Sequence, residues 1–244
     1  MFMNLAHRGA SEYAPENTLA AFYKGVEMGA NGIETDLRLS KDGTVILFHD
    51  HDLNRTTNGS GAPRDYDWSE LVELDAGSWF SPAYAGERLV TFEEFLHHFG
   101  RKELHFALEL KDQQVEQKML DLIHQYRVWE KVTVTSFSFD NLVAVRKLDT
   151  AIRIGHLIRK IDVAALDKLE ELGAQQVCPS AELLTPEDVA LAKSRGFEVR
   201  AWGAFTVELM DHVLACGVDG TTINFPDKLT ARLNERAHGA SSPV

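Results

Sequence analysis

This 244-residue chain has few cysteines, no clustered basic charge and no long apolar run. No stretch approaches the roughly 20 apolar residues that span a bilayer, so no stable membrane anchor is expected. A strand signal starts almost at Met1, which leaves no room for a cleavable leader. Cys178 and Cys216 lack metal-site spacing, and their neighbours Val177 and Ala215 suggest buried free thiols. A cytoplasmic location is the resulting expectation. Formal charge is −12 with Lys and Arg dispersed, so no nucleic acid is expected as a partner. An acidic chain that binds phosphate must gather its positive charge locally.

Short β-branched or apolar runs bounded by turn residues occur near 3–7, 32–37, 44–48, 105–110, 132–136, 153–158, 176–179, 198–202 and 219–223. Only Ser40-Lys41-Asp42-Gly43 separates the second run from the third, too short for a parallel crossover, so those two form a hairpin. Asp42-Gly43 read as a two-residue turn makes Lys41 face Thr44, Leu39 face Ile46 and Asp36 face His49. Side-chain alternation then puts Glu34, Asp36 and His49 on one face.

Without the return strand eight candidates remain, most separated by a helix signal. The first helix runs from about Asn17, read as its cap, to Met28. Others follow Thr91, with Glu94 in a capping box, and Lys111, Phe139, Ile161, Thr185 with Pro186, Thr206 and Pro226. This order predicts an α/β fold: a (β/α)8 TIM-type barrel with an extra hairpin after strand 2 and a small inserted segment. A doubly wound sheet is the alternative. The expected single barrel domain covers 1–237. Its insertion, at about 51–90, has one helical piece near Trp68–Leu74 and forms a lid or side wall, and 238–244 form a disordered tail.

Barrel enzymes carry catalytic groups at the carboxyl ends of strands, and His7, Glu34, Asp36, Glu109 and Trp202 all lie at or near such ends. Inward-facing carboxylates on neighbouring strands repel one another unless a cation lies between them. Glu34, Asp36 and Glu109 offer oxygen ligands to one divalent cation, Mg²⁺ or Ca²⁺. His7 and His49 supply a proton acceptor and donor, and Arg8 and Lys111 supply charge for a phosphodiester.

Ala6-His7-Arg8-Gly9, Ala14 to Thr18, Ile33-Glu34-Thr35-Asp36, Lys41-Asp42-Gly43, Phe48-His49-Asp50, Leu53 to Gly59, Leu74 to Phe80 and Leu108-Glu109-Leu110-Lys111 resemble the signature series of the glycerophosphodiester phosphodiesterase family. The match continues through Ser136-Phe137 and Gly217 to Gly220 to Asn224-Phe225-Pro226-Asp227. The resemblance implies a barrel with an insertion after the hairpin, and metal-dependent hydrolysis of a small glycerophosphodiester to glycerol 3-phosphate and an alcohol. It assigns the metal to Glu34, Asp36 and Glu109, acid–base work to His7 and His49, and phosphate to Arg8 and Lys111, with Trp202 a substrate contact. It also implies attack by the substrate's own 2-hydroxyl through a cyclic phosphate.

Two segments depart from the family pattern. Trp202-Gly203-Ala204-Phe205 stands where the family reads Trp-Thr-Val-Asn, and Gly86 to Thr91 lacks the usual proline. Both bear on which alcohol is accepted. Lysophospholipase D activity is a second expectation, with Trp68, Trp79, Phe80 and Tyr84 lining an acyl groove or else packing as the insertion's own core. A third is a non-catalytic metal or glycerol-phosphate binding protein, for which two histidines would be superfluous.

Overall fold

Apolar residues recur at every second position of the strand segments, and the computed structural model, which describes residues 1–239, shows where each face goes. The strands are β1 (Met3–His7), β2 (Gly32–Leu39), β3 (Val45–Leu47), β4 (His105–Leu110), β5 (Val132–Ser136), β6 (Arg153–Ile158), β7 (Gln176–Pro179), β8 (Glu198–Ala201) and β9 (Gly220–Ile223). All but β3 pair in parallel, and because β1 bonds both β2 and β9 they close an eight-stranded ring. β3 lies outside the ring, antiparallel to β2. The fold is the expected barrel rather than an open sheet.

Around the ring run α1 (Leu19–Glu27), α2 (Trp68–Leu71, in the insertion), α3 (Phe92–Phe99), α4 (Glu116–Tyr126), α5 (Phe139–Leu148), α6 (Val163–Leu172), α7 (Pro186–Ser194), α8 (Val207–Cys216) and α9 (Pro226–Gly239). Thr91, Ser138, Asp162, Thr185 and Thr206 each accept a backbone N–H at a helix start. At Thr185 the bond is reciprocated by Asp188, with Pro186 in the first turn. The cap of α1 is Thr18, not Asn17, because Asn17 takes a left-handed φ of 57° and turns its amide elsewhere.

Ile33 and Leu37 of β2, Phe106 and Leu108 of β4 and Val132 and Val134 of β5 face outward. They pack with Phe92, Phe95 and Phe99 of α3 and Met119 of α4 into the largest core cluster. Each such side chain contributes about 1.5–3 kcal/mol when fully buried. The alternate residues, among them Glu34, Glu109, Thr135, Arg200 and Thr222, face the inside of the ring and line a cavity there. Both cysteines are buried and free, and burial pushes the Cys178 thiol up to about 11. No helix among the described residues is long and apolar enough to cross a membrane.

The hairpin differs from the expected register by one residue. Leu39 pairs with Val45 and Leu37 with Leu47, while the amide of Phe48 donates to the Asp36 carbonyl. A two-residue Asp-Gly turn needs positive φ at both positions, but only Gly43 has it (78°). Ser40 and Thr44 close a three-residue loop instead, with Asp42 accepting from the Ser40 hydroxyl. His49 still reaches the interior because β3 stops at Leu47 and the Arg38 guanidinium grips the His49 carbonyl at 2.8 and 3.1 Å.

Phe48 instead points into the following segment. There Leu53, Leu71, Ala76 and Leu89 form a small separate core with Ile46, flanked by Tyr66, Trp68 and Leu74. Phe80 packs edge-on against both Trp79 and Tyr84, and the Tyr84 hydroxyl donates to the Tyr13 carbonyl. Of the tail expected at 238–244, His238 and Gly239 complete α9, and 240–244 lie outside the described residues.

The turn after β1 is the tightest constraint near the ring's mouth. Arg8 and Gly9 are both left-handed, with φ of 56° and 84°, and a Cβ on Gly9 would lie 2.4 Å from the Ala21 carbonyl carbon of α1. Gly9→Ala is expected to destabilise the protein by about 2–4 kcal/mol in urea unfolding. A loss of about 1 kcal/mol or less, the cost of positive φ alone, would show that α1 can retreat.

Candidate active site

Parallel register is what gathers the carboxylates. His7 of β1 is level with Glu34 of β2, and Asp36 is level with Glu109 of β4. One oxygen from each of Glu34, Asp36 and Glu109 can be chosen so that all three lie within 4.8 Å of one another, and all three residues are buried. These donors suit a hard divalent cation, since none is sulfur or imidazole. Three buried polar atoms here make no hydrogen bond: Thr135 Oγ1, and Asp36 Oδ1 and Arg8 Nε, which are met by ion pairs alone.

Two cations touch this cluster. Arg8 donates its backbone N–H to Glu34 and holds Nε 3.2 Å from Asp36 Oδ2. Lys111 Nζ lies 2.5 Å from Glu109 Oε1 and 3.3 Å from Asp36 Oδ1. The Asn17 amide donates to Asp36 Oδ2 at 3.0 Å, while its own oxygen accepts from Thr35. Burial, the largest influence on Asp36, raises its pKa, but Arg8 and Lys111 overcome it and hold the carboxyl well below the usual carboxylate range. Glu34 lacks so close a cation, so burial and then the charges of Asp36 and Glu109 push it up to about 8. Glu109 is raised for the same reasons, partly relieved by Lys111.

The two histidines have different partners. His7 Nδ1 is 2.7 Å from Asn224 Oδ1, which leaves Nε2 free on the cavity side, 3.9 Å from Glu34. Burial, then Arg8, lowers His7 to about 4. His49 Nδ1 is 2.7 Å from the Asp50 carboxylate. Arg55, from the insertion, binds Asp50 at 2.6 and 2.9 Å and Glu16 at 2.7 and 2.8 Å, and Glu16 in turn binds Arg8 at 2.9 Å. A chain of ion pairs thus runs from one histidine's carboxylate to the arginine beside the other.

His7, Arg8, Glu34, His49, Glu109 and Lys111 share a cavity of about 120 Å³ that opens at the carboxyl ends of the strands. Trp202, anchored by its indole N–H on the Ile158 carbonyl, lines it together with Phe137 and Phe205. Phe137 meets Trp202 edge-on at 5.1 Å, and the Phe205 ring lies 5.5 Å from the His7 ring. Trp68, Trp79, Phe80 and Tyr84 are not among the lining residues, so the insertion's aromatics build no groove in this cavity.

Of the residues given catalytic, phosphate, substrate or metal roles from the sequence, His7, Arg8, Glu34, His49, Glu109, Lys111 and Trp202 line this cavity, and Asp36 is buried in the carboxylate cluster with Glu34 and Glu109. Missed were the supporting residues Glu16, Asn17, Asp50, Arg55 and Asn224. Four of them stand in the quoted motif stretches Ala14–Thr18, Phe48–Asp50 and Leu53–Gly59, and the fifth opens the Asn224–Asp227 stretch, so the signal was present without a partner to interpret it.

The sequence model of the glycerophosphoryl diester phosphodiesterase family matches residues 7–228. A glycerophosphodiester phosphodiesterase of Caldanaerobacter subterraneus subsp. tengcongensis is 34% identical over 230 residues, covering 92% of this chain and 95% of that protein. One from Bacillus subtilis is 32% identical over 247 residues, covering 92% and 84%. Among solved structures, an Oleispira antarctica phosphodiesterase in complex with the product sn-glycerol-3-phosphate aligns with a TM-score of 0.88 at 29% identity, covering 94% of this chain and 96% of that one. A glycerophosphodiester phosphodiesterase of Agrobacterium tumefaciens gives 0.85 at 26% identity, covering 95% and 100%. With a family match over most of its length, the same barrel and relatives above 30% identity over about nine-tenths of the chain, it belongs to the glycerophosphoryl diester phosphodiesterase family.

Proposed function

We propose that this protein hydrolyses glycerophosphodiesters to glycerol 3-phosphate and an alcohol, using His7 and His49 as an acid–base pair and one divalent cation, Mg²⁺ or Ca²⁺, at Glu34, Asp36 and Glu109. The observation that carries this is the convergence of both histidines and the carboxylates on a single cavity. A binding protein would need only the carboxylates and the cations. When bound, the cation supplies positive charge to the non-bridging phosphate oxygens as they gain charge. Arg8 and Lys111 add fixed charge from the protein.

The histidines' partners suggest their roles. His7 is hydrogen-bonded to a neutral amide, lies beside Arg8 and stays unprotonated down to about pH 4. It is the better first base, taking the proton from the glycerol 2-hydroxyl as that oxygen attacks phosphorus. Burial lowers the His49 pKa, but the Asp36 charge and the Asp50 hydrogen bond both favour its imidazolium, so of the two histidines it is the better suited to protonating the departing alkoxide. This gives a five-membered cyclic phosphate and a free alcohol. With the roles reversed, His49 deprotonates a water, its attack opens the ring, and His7 returns a proton to the 2-oxygen. Trp202, Phe137 and Phe205 give the cavity an apolar flank for carbon atoms of the substrate.

Three outcomes follow. The chelator-stripped protein should be inactive and gain about 2.7 kcal/mol of stability with Mg²⁺ or Ca²⁺ at a hundred times Kd, a gain that Glu109→Gln should remove; full turnover in excess chelator would exclude a metal role. His7→Ala and His49→Ala should each lose about 10²- to 10⁴-fold in kcat on a glycerophosphodiester of a simple alcohol. With p-nitrophenol as the alcohol, which leaves without a proton, its release in the first turnover should be severely impaired only in His7→Ala, while ring opening stays slow in His49→Ala; equal loss of first-turnover release in both variants would reverse or merge their assigned roles. A 2-deoxyglycerol analogue should react far more slowly than its parent, because a well-placed internal nucleophile is worth on the order of 7 kcal/mol. Similar rates for the two would mean direct attack by water. Assaying lysophospholipids beside glycerophosphodiesters separates the lysophospholipase D alternative.

A further inference from the structure

The largest fully buried side chain in the described structure is charged. Arg200 of β8 is 1% exposed. Its Nε donates to Gln176 Oε1 at 2.9 Å and its Nη2 to Cys178 Sγ at 3.4 Å. Neither partner carries a negative charge, since burial keeps the Cys178 thiol protonated. Below it, Glu198 is occupied by Gln176 at 2.5 Å and by Arg153 at 3.1 Å. No carboxylate among the described residues forms an ion pair with Arg200. A buried guanidinium in that position is costly unless another charge offsets it.

The offsetting charge lies across the cavity, whose wall Arg200 shares with Glu34 and Glu109. Arg8 and Lys111 touch the carboxylates, whereas Arg200 lines the same cavity as Glu34 and Glu109 without an ion pair to either. With Arg200 included, three fixed cations share the site with the three carboxylates.

We propose that Arg200 is a built-in counter-charge that sets the divalent-cation affinity of the Glu34, Asp36 and Glu109 site, stabilising the empty cluster and weakening the bound ion. This rests on the reading of those carboxylates as a cation site. Removing a fixed positive charge from the cavity wall removes its repulsion of the divalent ion, so the effect is tighter metal binding. At separations within one cavity the expected change is about tenfold or more in Kd.

The test is calorimetric titration of the chelator-stripped full chain with Mg²⁺ and, separately, Ca²⁺ at fixed pH and ionic strength, with thermal unfolding alongside. Arg200→Met should bind at least about tenfold more tightly than wild type, melt lower without metal and gain more from it. Arg200→Lys, which keeps the charge but cannot reproduce both hydrogen bonds, should bind near wild-type strength. A variant Arg200→Met that folds only with Mg²⁺ present also supports the assignment, because the ion has replaced the missing charge. Equal Kd for wild type and Arg200→Met, equal tightening in Arg200→Lys, or misfolding of Arg200→Met with and without metal would overturn it in favour of a purely structural arginine. If wild type binds neither ion, the cation-site reading fails first and the role of Arg200 falls with it.

Discussion

Mutual repulsion among Glu34, Asp36 and Glu109 is the constraint around which the upper half of this barrel is organised. One carboxylate oxygen of each lies within 4.8 Å of one from each of the others. At an effective dielectric of about 20, each pair of charges at that spacing costs about 3–4 kcal/mol. Two features of local sequence meet this cost. Left-handed backbone at Arg8 and Gly9 turns the chain sharply after β1 and brings the Arg8 guanidinium back onto Asp36. Lys111 follows Glu109 by two residues, the spacing at which side chains of an extended chain return to one side, and reaches both Glu109 and Asp36. The carboxylates are consequently unequal: Asp36 is held ionised by two cations, and Glu34 and Glu109 are only partly relieved.

The same ionic network joins the insertion to the barrel. Arg55 belongs to the insertion, yet it binds Glu16 beside α1 and Asp50 beside His49 with both arms of its guanidinium. Paired in this way on two sides, it does more than an exposed single ion pair, whose worth is commonly under about 1 kcal/mol. His49 sits where β3 has ended and no ladder fixes its direction. Its orientation comes from Arg38 on its carbonyl and Asp50 on its ring. The insertion's small core around Leu53, Leu71 and Leu89 is therefore tied through Arg55 to Asp50 and His49, although its aromatics stay out of the cavity.

Strand positions were legible in the sequence because alternation is a backbone property that tertiary context seldom reverses. Helix starts at Thr91, Thr185 and Thr206 were legible for a similar reason, a local side-chain bond. Two local inferences failed where a competing bond decided the geometry. Asp42 accepts from Ser40, which lengthens the hairpin loop by one residue and shifts its register. Asn17 gives its amide to Asp36, nineteen residues away, and leaves the helix cap to Thr18. The convergence of His7, Asn224 and Glu34 spans nearly the whole chain, and only ring closure between β1 and β9 brings the first and last of these together. No spacing rule within one sequence contains that closure.

Arg200 escaped notice for a further reason. On β8 it alternates with Val199 and Ala201, and an Arg between apolar residues in a strand ordinarily faces solvent, as it would on a half-exposed sheet. Here the ring has two insides. The outward faces of the strands carry the hydrophobic core beneath the helices, and the inward faces carry Gln176, Cys178, Arg200, Thr135 and Thr222 along with the carboxylates. Folding stability is thus supplied mainly between strand and helix, and the interior is free to be polar. A polar interior has the dielectric and the fixed charges that a phosphodiester site requires, but it also requires every buried charge to have a counterpart. The buried guanidinium of Arg200 finds its counterpart only across the cavity, so the charge state of the interior has to be considered as a whole.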